Sequence, residues 1–385
     1  MANNKKTIQR KDWVSSFTLV GTPKINDYTF KIDERSEKSS WVYNSMNIGI
    51  DCGEKHGVVF SELMGGYSDE HENKIYAHGK NEDGTDDYSS QVIVDWEDRF
   101  NEDILDSIGD QCFITIGLEK TTKGTTFYKK FLSAYDAIAY VKEHLTPDMV
   151  VRVAGNLKYS LYQDKTQVRK TITRIVLSSV DNAAEYFARF TQSVLIDNTS
   201  ASLKNIDKNK SAMYIDARVL DYIKEYNGID VRGQYPFEKT FEFELDLNNE
   251  TLCKRIFDKM FKVKKGVTQI NFEGDLIEGG ATVTATWDDV PDEIKELVEL
   301  GLYDEKEVLA RCSSNGNREQ RMVLRKPVIR LAGEGKTPVA QKFEQRYEED
   351  DLYLDYLFQN DSSEDDDYSG GIESEDSSMD WLNDL

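Results

Sequence analysis

Between Leu118 and Val180 the sequence interleaves basic and aromatic residues more densely than anywhere else in the chain. Lys123, Phe127, Tyr128 and Lys130 fall in one cluster. Arg152, Lys158, Tyr159, Tyr162, Arg169, Lys170 and Arg174 fall in a second. Cations that track phosphates, beside aromatic faces on which bases stack, are the requirement for holding single strands without sequence preference; each stacked base contributes about 1–3 kcal/mol. These eleven residues are the candidate contacts for DNA. On a regular strand Lys170 and Arg174 share a face with Ile172, while Arg169 shares the other with Thr171 and Thr173, so only one set can line a groove. The competing reading assigns the aromatics to a core and the cations to the protection of strand edges. Trp41 and Tyr43 are secondary stacking candidates, but packing against a sheet explains them better.

Other chemistries find less support. The chain has four histidines and no nucleophile elbow, no HExxH and no Cys/His pairing of known spacing, so no catalytic residue is assigned and no enzyme is expected. Cys52, His56, His71 and His78 lie near one another in sequence, but their spacing fits no zinc site, and neither a metal nor a cofactor is expected. Gly333, Gly335, Lys336 and Thr337 imitate the end of a phosphate loop. Arg330 stands where its first Gly is required, and Pro338 opposes the helix that should follow.

Charge is unevenly divided. The chain carries −23, of which the 39 residues from Tyr347 to Leu385 supply 15 negative charges and no positive ones, leaving −8 for the rest. A Ser/Gly-interrupted acidic segment cannot bury enough apolar surface to offset its ordering entropy, so residues 346–385 are expected to form a disordered tail. It ends on Met379, Trp381, Leu382 and Leu385, an apolar cluster suited to docking a partner. Cys52, Cys112, Cys253 and Cys312 are scattered, as free thiols in a reducing cytoplasm would be, and no secretory leader or spanning apolar run is visible.

Abundant Tyr, Phe, Thr, Val and Ile in short alternating runs, with only 6 Pro, imply a mainly β protein with a few helices. Residues 1–12 read as a flexible basic arm, 13–196 as a β-rich domain, 197–210 as a linker and 211–345 as a second β/α domain. A helix is expected from Ser133 to Leu145, ended by Thr146 and Pro147, and another over Asp181–Ile196. Two more are expected from Pro291 and from Asp304, after a strand at 281–287. Gly333–Lys342 reads as a linker to the tail. No repeat of fixed period is visible, but strands running into Gly21, Gly155 and Gly274 echo one another. A Gly inside a strand marks a bulge or a sharp coil, as a small closed barrel needs.

The bulged strand, hairpin and basic strand of Val150–Leu177, the later helix-interrupted strands at 281–332 and the acidic tail together resemble the phage and bacterial single-stranded DNA-binding proteins. Those proteins pair OB-folds with a flexible acidic C-terminus. The resemblance implies OB-like barrels, a role in DNA replication or recombination in the cytoplasm (of a bacterial host, if the source is a phage), and tail-mediated recruitment of replication proteins. At about −15 the tail mimics a short strand electrostatically, so it is expected to lie partly in the cationic groove until DNA displaces it. The family's acidic Pro-Phe ending is replaced here by Met379 to Leu385, which puts the docking partner in doubt. A β-rich assembly protein with an acidic interaction tail, and an acidic inhibitor or DNA mimic, are the competing classes.

Overall fold

The computed structural model describes residues 8–352 except 164, 227, 333–335 and most of 280–319. It is mainly β, with few helices. The first half contains β1 (Ser15–Lys24), β2 (Phe30–Arg35), β3 (Trp41–Asp51) and β4 (Val58–Ser68). A separate hairpin follows, β5 (Lys74–Lys80) with β6 (Asp86–Asp95), then the short helix α1 (Glu102–Leu105). Next come β7 (Ile114–Lys120), β8 (Thr126–Phe131), α2 (Ala134–His144), β9 (Val151–Tyr162) and β10 (Lys165–Leu177). The second half contains β11 (Phe187–Ile196), β12 (Ala201–Asp207), β13 (Ala212–Tyr226), β14 (Ile229–Glu244) and α3 (Glu250–Ile256). It continues with β15 (Val267–Glu278), β16 (Gln320–Pro327), β17 (Ile329–Ala332), β18 (Thr337–Ala340) and β19 (Lys342–Tyr347).

Strand pairing closes a five-stranded barrel in the order β1–β3–β4–β10–β9 and back to β1, with β4–β10 its one parallel contact. The helix α2 lies in sequence between the third and fourth of these strands. Ser133 caps it as the sequence predicts, and it buries Ala137, Ile138, Tyr140 and Val141. A second circuit repeats the order: β11–β13–β14–β16–β15 and back to β11, again with one parallel contact, β14–β16. Here α3 takes the place of α2. The two circuits are joined by antiparallel pairing of their first strands, where Phe17 lies opposite Phe190.

The registers show how closely the halves correspond. Gly155 lies opposite Phe17, and Gly274 opposite Phe190. Beside Gly155, β10 carries one extra residue between Ile172 and Arg174; beside Gly274, β16 carries one between Leu324 and Lys326. The parallel contacts pair Thr171 with Glu62 and Val323 with Glu242. Two residues earlier on β10 and β16, Arg169 and Arg321 face those same glutamates. The faint sequence echo is thus a structural repeat. A Cβ on Gly155 would stand 2.0 Å from the Thr171 carbonyl oxygen, and one on Gly274 would stand 2.3 Å from the Phe190 ring. Gly21 sits where β1 stops pairing with β9 and turns to β3, and its Cβ would meet the Asp51 oxygen at 1.9 Å.

Several expectations are corrected. The helix expected over Asp181–Ile196 is a single 3-10 turn at Ala183–Glu185 followed by strand β11. Ala188, Phe190, Gln192 and Val194 are buried at a period of two between β1 and β15, so burial on a strand overrides the local capping signal. The expected linker 197–210 contains β12, which pairs with β13, and the chain passes from the first barrel to the second between β10 and β11. The opening strands of a barrel expected at Val150–Leu177 are its two last strands. Residues 13–118 supply β1, β3 and β4 of that same barrel.

The expected flexible arm is docked from residue 8 onward. Ile8 is buried, Arg10 binds the Leu220 carbonyl and Asp221, and the Lys11 N–H donates to the Tyr347 hydroxyl. The linker and tail expected from Gly333 onward instead include β18, paired with β17, and β19, paired with β15; Tyr347 and Leu352 are buried. The expected strand at 281–287, the two helices after it, residues 1–7 and the tail beyond Leu352 lie largely or wholly outside the described residues.

Gly155→Ala forces its methyl group onto backbone rather than onto a movable side chain. Its urea midpoint is expected to fall by the equivalent of about 2 kcal/mol or more, within the range of severe single substitutions. An unchanged midpoint would show that β9 and β10 do not approach this closely.

Candidate nucleic-acid interface

Seven of the eleven candidate residues share one outer sheet face, and the bulge in β10 is the reason. Ahead of it, Arg169 points outward opposite Lys158, while Lys170 and Ile172 point into the core. The extra residue, Thr173, shifts the alternation, so Arg174 emerges on the same side as Arg169. Simple alternation places those two arginines on opposite faces. The bulge also marks where β10 leaves β4 and takes β7 as its parallel neighbour.

A sheet in the order β9–β10–β7–β8 results, with a row Ala154–Arg174–Thr115–Lys130 across it. Arg152 is exposed on the same face of β9. Tyr128 shares the face with Lys130 and is 50% exposed. Its ring lies across Gly117, about 3.0 Å from where a Cβ would be, and the Arg174 guanidinium stands 5.5 Å from the ring centre. No larger residue at 117 would let the ring lie this close to β7. Lys130 also pairs with Asp110 at 3.0 Å. Farther along β9, exposed Lys158 and then Tyr162, 41% exposed, continue the face about 20–33 Å from Arg152 at the rise of a strand.

The remaining candidates are placed elsewhere. Lys123 lies in the exposed turn of the β7–β8 hairpin, and Phe127 is half-exposed on the opposite face of β8. Tyr159 is core: it is 4% exposed, its hydroxyl meets Gln192 at 3.1 Å, and its N–H donates to Asp221 at 2.8 Å. Lys170 is core as well, in an ion pair of 2.5 Å with Glu278 on β15 that ties the two barrels together. The tail residues Met379, Trp381, Leu382 and Leu385 lie outside the described residues.

Beside the hairpin end of this face a cleft of about 1080 Å³ opens between β3–β4 and the second barrel's β13. Trp41, Asn47, Lys158, Arg169, Tyr222 and Lys224 are among its walls. Sequence reasoning missed the contribution of Asn47, Tyr222 and Lys224, which come from distant segments. Glu62 in the cleft has its acidity weakened by burial, a shift that nearby Arg169 and Lys170 oppose. On the second barrel the corresponding strands are β15 and β16, and the β16 cations are all paired with acids: Arg321 with Glu242, Arg325 with Glu244 and Asp275, and Lys326 with Glu273.

Among the described residues no group of His, Cys, Asp and Glu is arranged to hold a metal ion. Cys112, His78 and Asp86, however, form a hydrogen-bonded chain that sequence spacing gave no reason to expect. No described helix is long and apolar enough to cross a membrane.

Lys170→Met leaves Glu278 charged and buried, and a loss of about 3–5 kcal/mol of stability is expected by chemical denaturation. Adding Glu278→Gln, which retains an acceptor for the Phe60 N–H, is expected to restore most of it. A Lys170→Met protein of unchanged stability would return this lysine to the surface candidates.

A search among curated proteins finds no match. Residues 68–308, more than half of the chain, match the family model described as YorF. The matched span runs from the end of β4 in the first barrel through α3 and β15 in the second. The chain belongs to the YorF family.

Proposed function

We propose that this protein binds single-stranded DNA without sequence preference, on the outer β9–β10–β7–β8 face of its first barrel. The observation that carries the reading is the open row of Arg152, Arg174 and Lys130 around the half-exposed Tyr128 ring. Cations at strand spacing match a phosphate track, and a ring held flat over Gly117 offers a face for a base. Lys158, Tyr162 and the adjacent cleft extend the path toward the second barrel.

The strand circuit supports the same reading. Five strands closing with the third and fifth parallel, and a helix between the third and fourth, is the arrangement of an OB-like barrel, a fold that binds oligonucleotides and oligosaccharides. Both circuits have it, but on the second the cations of the matching strand, Arg321, Arg325 and Lys326, are each paired with an acid. The acidic tail is proposed to compete with DNA for that face and to dock replication or recombination proteins through its apolar end. The described chain stops at Leu352, in the wall of a cleft that also contains Lys165, Arg218 and Lys239. Its further 33 residues span up to about 110 Å when extended, so reach does not limit the competition.

Fluorescence anisotropy with labelled oligo-dT at 50 and 200 mM salt tests the reading. The full chain is expected to bind at micromolar or tighter affinity at low salt and to weaken steeply with salt. Arg152→Glu/Arg174→Glu is expected to lose at least tenfold and to flatten the salt slope by about 1–2. Truncation after Leu352 is expected to tighten binding at low salt. Flat anisotropy at low salt rejects the function, and unaltered affinity on truncation rejects the tail's competition alone.

A further inference from the structure

His78 on β5, Asp86 at the start of β6 and Cys112 in the turn before β7 meet in the hairpin appended to the first barrel. The Cys112 Sγ lies 3.2 Å from His78 Nδ1, and His78 Nε2 lies 2.7 Å from the Asp86 carboxylate. Asp86 also accepts the Gln111 N–H at 3.0 Å; that bond and His78 hold its carboxyl below the usual carboxylate range. The Tyr88 ring lies against the imidazole, tilted by 38°, with 4.6 Å between ring centres. Gly109 makes room for the ring, since a Cβ there would stand 2.5 Å from His78 Cδ2 and 2.4 Å from the Asp86 oxygen.

The chemistry follows from which nitrogen faces which partner. Asp86 accepts the proton of Nε2, which leaves the Nδ1 lone pair facing the thiol. The thiol can then give its proton to Nδ1, and the imidazolium formed is held by Asp86, while the His78 backbone N–H, 3.4 Å from Sγ, faces the negative sulfur. Because sulfur and carboxylate sit on opposite nitrogens of one ring, no single metal ion can take all three.

We propose that Cys112 is a nucleophilic thiol site for small carbon electrophiles, with His78 as its base and Asp86 as the positioning residue. Sγ attacks the electrophilic carbon, the S–C bond forms, and the leaving group departs with its electron pair as the thiol proton passes to Nδ1. Cys52 and Cys253 are buried and lack such a partner among the described residues, so they serve as internal references.

The test is iodoacetamide labelling of the full chain at pH 7, with each cysteine followed by mass spectrometry. An unassisted thiol is only a few per cent thiolate at this pH, so base assistance can raise its rate by about tenfold or somewhat more. Cys112 in the folded protein is expected to react about tenfold faster than in the urea-denatured chain at the same pH. Asp86→Asn, whose amide can donate to Nε2 and so turn an N–H toward sulfur, is expected to remove most of that gain. His78→Gln is expected to do the same, and Asp86→Glu to restore part of it. A merely structural role predicts the opposite sign, because loosening the turn exposes the thiol and speeds labelling. Folded Cys112 reacting no faster than in the denatured chain, or faster in Asp86→Asn, overturns the proposal.

Discussion

Six consecutive residue pairs, from Ser15 opposite Gln192 to Val20 opposite Phe187, zip the first strand of one barrel to the first strand of the other. Over this stretch β1 has β9 on its far side and β11 has β15, so neither strand has a free edge. Each reaches the second strand of its own barrel only after the ladder ends, β1 from Thr22 and β11 at Leu195. The two interiors therefore merge into one hydrophobic core. Several polar groups drawn into it form one paired network: Gln192 meets Ser15 and Tyr159, and Ser193 donates to Asn271, which in turn donates to the Asp12 carbonyl. Such a network is stable only if every member is satisfied, and residues 11–12, Gln269 and Gln341 complete it. That is why residues 8–12 and the strand β19 are both docked on the second barrel.

The same ladder dictates where glycine is needed. The fourth strand of each barrel must lie against a first strand whose other edge is already occupied, and its contact with the fifth strand is tightest at Gly155 and Gly274. One extra residue on β10 relieves the curvature there. Its side effect is functional: it sends Arg169 and Arg174 to one side and Lys170 to the other. A backbone device for closing a barrel thus also sorts charge between an outer face and a buried ion pair.

Much of this was legible in the sequence. The alternation of strand residues gave most strands, Ser133 and its apolar stripe gave α2, and the glycine echo pointed to a repeat. The basic and aromatic stretch pointed to the strands that form the β9–β10–β7–β8 sheet, because interleaved Lys, Arg and Tyr on long strands carry a compositional signal. What stayed hidden depended on register. No local pattern says that Thr173 is the extra residue, so the side taken by Lys170 and Arg174 could not be read. Tyr159 and Tyr162 are three residues apart on β9 and so take opposite faces, and the strand alone does not say which face is buried. Strand β11 carries a capping signal for a helix and becomes a strand because two neighbours bury it. Cys112 and His78 are 34 residues apart, and only the fold of the appended hairpin brings them together.

The proposed path of the single strand runs over the β9–β10–β7–β8 face. Ultraviolet cross-linking of oligo-dT to the full chain, followed by peptide mapping, examines it without altering a residue. Cross-links are expected within 126–131 and at Tyr162, with Tyr222 on the cleft wall as the one position of the second barrel within reach and none within 229–244. Cross-links confined to 229–244, or none under conditions where anisotropy shows binding, would contradict it.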